Sequence, residues 1–87
     1  MSDSLLTEDQ YELLKAWMFA FWENAIEARM PQPYATQLLG VALAAFHRMW
    51  NLPQTESSIM ELSKIGDRIT RQYMFVKQAE QIIRVKK

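Results

Sequence analysis

A single histidine, His47, is the natural place to look for acid–base or metal chemistry, because imidazole titrates near neutral pH and is the commonest metal ligand. Its nearest candidates for partnership are the carboxylates Glu23 and Glu27. If the segments carrying them form antiparallel helices, His47 falls beside Trp17, while Glu23 and Glu27 fall two turns away, nearer Gly40 and Thr36. That separation is too large for a shared metal ion. Di-metal carboxylate bundles also use Glu-x-x-His pairs, and this chain contains none. No serine has a base at a recognisable spacing, and Gly40 and Gly66 form no phosphate-cradling loop. Neither catalytic residues nor a cofactor or metal site is therefore expected, and His47 reads as a structural histidine near a helix C-terminus.

Two charged groupings remain. Glu23 and Glu27 are like charges at i, i+4, which costs a helix a few tenths of a kcal/mol; they read as a solvated strip, with a basic partner as the alternative. Lys64, Arg68 and Arg71 share one helical face, and Arg84, Lys86 and Lys87 extend it with a basic end, a pattern able to grip phosphates. Glu61, Asp67 and Glu80 interrupt that basic character, and the pI is about 6.6. A solvated face is preferred, and nucleic-acid binding is the second reading.

The elements that would hold these residues are helices. Thr7 and Gln10 have capping-box spacing, Leu6 and Tyr11 can form a hydrophobic staple around it, and Glu8 and Asp9 favour the positive end of a helix dipole. The first helix is expected over about 8–29, where Pro31 and Pro33 end it. A second follows over about 34–50 and a third over about 55–85, capped by Thr55 or by Ser58 with Glu61. Connections this short make neighbours antiparallel, giving an all-α, up-down-up three-helix bundle in one domain.

Cysteine is absent, which removes disulfides, thiolate metal sites and cysteine nucleophiles and fits a cytoplasmic protein. The acidic start Met1-Ser2-Asp3-Ser4 leads into no apolar run of signal-peptide type, and no segment reaches membrane-span length. Net charge is zero but unevenly spread. Residues 1–30 hold six acids and two bases, residues 54–87 four acids and seven bases, and residues 31–53 only Arg48. The bare middle segment reads as the central, most buried helix.

Apolar surface exceeds what one small core uses. On a helical wheel of the first helix, Leu14, Trp17, Met18, Phe21, Ala25 and Ala28 form one arc, assigned to the core; Phe19, Trp22, Ile26 and Met30 form an adjoining arc, assigned to another chain. Gly40 and Gly66 are both expected to admit a bulky neighbour, Gly40 opposite Trp22. On the third helix Leu62, Ile65, Ile69, Gln72, Val76, Ala79 and Ile83 follow a heptad seam that outruns the other helices. Gln72 is placed where the bundle ends. The overhang, with Val76, Ala79, Ile82, Ile83 and Val85, must dock on a partner or fold back at Gly66. The expected protein is thus a small non-enzymatic helical adaptor, regulator or inhibitor. It should form a homodimer and contact a larger protein through Phe19, Trp22, Ile26, Val76, Ala79, Ile82 and Ile83.

Overall fold

A computed structural model describes the backbone of residues 5–85 and the side chains of residues 5–83. It contains three helices, α1 (Glu8–Glu27), α2 (Gln32–Met49) and α3 (Glu56–Val85), and no strand among the described residues. The acidic start of the chain and the side chains of Arg84, Val85, Lys86 and Lys87 lie outside the described residues.

Each boundary has a local cause. At the start of α1, Gln10 N donates to Thr7 Oγ1 at 3.1 Å and Thr7 N donates to Gln10 Oε1 at 3.0 Å, closing the capping box in both directions. Leu6 is buried and Tyr11 packs partly against the core, as a staple requires. Thr55 begins α3: its Oγ1 accepts from Ser58 N at 3.1 Å, and Ser58 lies inside the helix with its hydroxyl used elsewhere.

Both interhelical turns are Schellman motifs. Arg29 N donates to Ile26 O and Met30 N to Ala25 O; Asn51 N donates to Arg48 O and Leu52 N to His47 O. The motif needs one residue in the left-handed region, and Arg29 (φ 56°) and Asn51 (φ 55°) occupy it. Asparagine tolerates that conformation, but arginine pays for its Cβ. Arg29→Gly is therefore expected to stabilise the fold by up to about 1 kcal/mol, read as a higher urea midpoint with unchanged helicity.

The helices run up, down and up. His47 on α2 meets Ser58 on α3, and Leu43 meets Gly66, so α2 and α3 are antiparallel. Trp17 meets Phe46 edge-on at 5.5 Å, which is antiparallel contact between α1 and α2. Against α3, α1 crosses more than it follows: Tyr11, Phe19, Trp22 and Glu23 all reach the short stretch from Thr70 to Lys77. The core consists of Leu14, Met18, Trp22 and Ala25 from α1, Ala35 and Leu39 from α2, and Leu62, Ile65, Ile69 and Tyr73 from α3, closed by Leu6 and Leu52.

Three expectations about this core need correction. The apolar α2 is not its centre: only Ala35, Leu39 and His47 are buried there, because α2 meets α3 along one edge, touches α1 around Phe46, and leaves much of its remaining surface outward. The two arcs of α1 are also rotated. Trp22 is 5% exposed and belongs to the core, whereas Trp17 is 38% exposed. Gly40 faces open space, with nothing within 4 Å of a hypothetical Cβ. Gly66 is the glycine that admits a neighbour, since a Cβ there would lie 2.9 Å from Leu43 Cδ1. It does so without breaking α3, which continues as one helix to Val85.

Candidate interaction surface

His47 and Ser58 are the one constellation with a catalytic look, and spacing in the sequence did not indicate it. His47 Nε2 lies 3.0 Å from Ser58 Oγ, and both residues are buried. The Gln54 amide nitrogen lies 3.4 Å from Nδ1 and donates to Leu52 O at 3.3 Å. The direction of the His47–Ser58 bond follows the ring tautomer. The pair joins the end of α2 to the start of α3. The adjoining groove, lined by Gly40, Ala44, Arg48 and Ile59 among others, encloses about 260 Å³, just short of the usual range for small-molecule sites. No cluster of three or more metal-ligating side chains occurs among the described residues.

Lys64 and Arg68 line a depression of about 570 Å³ together with Ser57, Met60, Glu61 and Ile65. All six residues belong to α3, so the depression has no opposing wall. Lys64, Arg68 and Arg71 are exposed, and Glu61 sits in the same strip.

At the far end of the bundle, Lys77 Nζ bonds Glu23 Oε2 at 2.8 Å and lies 3.5 Å from Glu80. This contact ties the last turn of α1 to the point where α3 leaves the bundle. The bond from Lys77, reinforced by its charge, holds the Glu23 carboxyl below its ordinary 4.5, and the Glu23 bond in turn raises the Lys77 ammonium above 10.5. Both groups face solvent, so the pair positions more than it stabilises.

Beside them Tyr73 is fully buried, with its ring edge-on to Phe19 at 5.3 Å. Its hydroxyl has no partner in hydrogen-bonding geometry, although Glu23 is near enough to act on it electrostatically. Burial first, and the Glu23 charge second, raise this hydroxyl above its ordinary 10.0. An unfolded tyrosine loses its proton at that pH while the folded one keeps it, so stability falls as pH rises past 10.0. Tyr73→Phe is expected to change stability at neutral pH by no more than about 1 kcal/mol, because the buried hydroxyl faces the Glu23 carboxylate without a well-formed bond. It should also abolish this part of the alkaline loss, leaving the later fall as Lys77 deprotonates. Thermal melts across pH 8 to 12 would show both effects.

Past Tyr73 the seam of α3 changes character. Leu62, Ile65 and Ile69 are buried within the chain, and Gln72 is half-buried, donating to the Tyr11 hydroxyl at 3.4 Å. Beyond it Phe75 (72% exposed), Val76, Ala79, Ile82 and Ile83 all face solvent. Of the residues expected to meet a partner, Ile26, Val76, Ala79, Ile82 and Ile83 are thus open. Phe19 is half-buried against Tyr73. Trp22 is withdrawn into the core, its Nε1 donating to Thr70 Oγ1 at 3.1 Å.

A second open surface was missed. Trp17 stacks on Phe21 with ring centroids 5.4 Å apart, and together with Ala42, Ala45, Phe46 and Met49 it lines a depression of about 280 Å³ between α1 and α2. Leu13, Leu38 and Val41 continue this face at helical spacing, all exposed. The signal was present in the near absence of charge from α2, which was read as burial inside the chain. No described helix is long and apolar enough to cross a membrane. Comparison with family models, curated proteins and solved structures finds no match, so the two open apolar faces are the ground on which function is argued.

Proposed function

We propose that this chain is a small non-enzymatic helical interaction protein, a cytoplasmic homodimer that acts as an adaptor, regulator or inhibitor by docking on a larger protein. The observation that carries this reading is surface left uncovered. The chain exposes 6707 Å², whereas a folded monomer of its mass would expose about 5,400 Å². Its radius of gyration is 14.5 Å, against about 12 Å for a compact chain of this length. The exposed surface includes two apolar stretches, Leu13, Trp17, Leu38, Val41 and Met49 on α1 and α2 and Phe75, Val76, Ile82 and Ile83 on α3, of a kind a lone soluble chain seldom leaves open.

The distal half of α3 is the docking element in this reading, an amphipathic helix presenting Phe75, Val76, Ala79, Ile82 and Ile83 to a groove on the partner. The experiment is affinity capture from nuclease-treated host extract with the unaltered chain and with Ile82→Glu/Ile83→Glu. A specific protein captured by the first and lost with the second supports docking through α3.

Nucleic-acid binding remains the second reading because Lys64, Arg68 and Arg71 are exposed on one face with no ion-pair partner among the described residues. Under that reading, changing all three to glutamine would abolish a tight, steeply salt-dependent affinity for DNA or RNA. Under the protein-docking reading the triple variant keeps its partner and its stability within about 1 kcal/mol.

A further inference from the structure

We infer that the homodimer forms through the α1/α2 face, with a second copy of this chain as its occupant, leaving the distal half of α3 free for the unlike partner. The inference rests on the proposed self-association and names the surface that carries it.

Charge sets a condition on such a face. In a twofold dimer the same patch meets itself, so any charge at its centre meets its own like charge, and a face built for that contact must be bare. The α1/α2 face meets this condition. Leu13 and Trp17 on α1 and Leu38, Val41, Ala45 and Met49 on α2 are all apolar, and α2 carries one formal charge, Arg48. The apolar stripe on α3 is bare in the same way, because Lys77 and Glu80 lie toward the other side of that helix, where Lys77 bonds Glu23, so charge permits either face and area decides between them.

Area separates the two faces. Val41 is 68% exposed and Met49 64%, and with the other four residues and the neighbouring Ala16 and Ala20 the face offers on the order of 600 Å² per copy, scaled from the areas of large side chains. A pair would bury about 1,200 Å², which reaches the lower edge of stable interfaces. Phe75, Val76, Ala79, Ile82 and Ile83 offer about 500 Å² per copy on the same scale, or about 1,000 Å² for a pair, below that edge. The depression lined by Trp17 and Met49, flanked by alanines, supplies the relief that lets two such surfaces interlock.

Sedimentation equilibrium on Val41→Glu and Met49→Glu tests the assignment against Phe75→Glu and Ile83→Glu, with circular dichroism confirming helicity in each. All four side chains are exposed in the single chain, so each variant is expected to fold. The expected result is dimerisation at least about 100-fold weaker in the two α2 variants, since an unpaired charge is then buried, and an unchanged dimer in the two α3 variants. If a glutamate perturbs α2, Val41→Ser with Met49→Ser keeps the face uncharged and must still weaken the dimer at least about tenfold. Dimers that survive the α2 variants, or that are lost in the α3 variants, overturn the assignment while leaving self-association standing. An unaltered chain that stays monomeric overturns self-association itself, and the assignment with it.

Discussion

Trp22→Ala is expected to unfold the chain, while Trp17→Ala leaves it folded. Trp22 belongs to the core, touching Phe21 edge-on at 5.2 Å and bonding Thr70 on α3. Removing a buried indole leaves a cavity the surroundings fill only in part, at a cost of about 3–5 kcal/mol. A single core in a domain this small supplies little more than that. Trp17 loses only its stacking with Phe21 and its edge contact with Phe46, about 1–3 kcal/mol together. Urea titrations followed by circular dichroism separate the two. A folded Trp22→Ala beside an unfolded Trp17→Ala would reverse the two faces of α1.

The two glycines are expected to respond with opposite signs. Gly66 lies inside α3 where Leu43 of α2 rests on it, so the β-branched side chain of Gly66→Val would push α2 away, costing about 1–3 kcal/mol despite the gain in helix propensity. Gly66→Ala is milder, because the atom it meets is the mobile end of a leucine. Gly40→Ala enters open space and gains about 0.5–1 kcal/mol by stiffening the unfolded chain. Urea midpoints of the three variants test these signs. A destabilised Gly40→Ala would mean that the backbone there is closely covered.

Local chemistry was readable from the sequence, and the phase of helices was not. Thr7 with Gln10, the prolines after Arg29 and Asn51, and the unbroken run to Val85 set the elements because their causes act within a few residues. Arg29 did not announce its Schellman turn, since arginine is an unfavourable residue for the left-handed position. On α1 the buried stripe is Leu14, Met18, Trp22 and Ala25. It is rotated by roughly 40° from the arc that placed Trp17 and Phe21 inside. A helix with large apolar side chains nearly all round has no polar face to fix its orientation.

The interior position expected for α2 failed for a related reason. Absence of charge shows that a surface avoids water and is silent on whether the cover is the same chain or another. Val41 and Met49 look alike in sequence under either case, and only their exposure in the folded chain distinguishes them. The His47–Ser58 pair escaped notice because it depends on the geometry of the α2–α3 turn, where Leu52 N bonds back to His47 O and sets the two helices side by side. The open half of the α3 seam, by contrast, was legible from Val76, Ala79 and Ile83 alone, because the heptad outran the helices available to cover it.

The account as a whole depends on the uncovered apolar surface being an interface. Sedimentation equilibrium of the unaltered chain from about 1 to 100 μM, a range chosen around the micromolar affinities of modest interfaces, tests this most directly. The account predicts a mass rising with concentration to twice the 10.3 kDa of one chain. A mass that stays at 10.3 kDa throughout, with helicity matching three full helices, would contradict it.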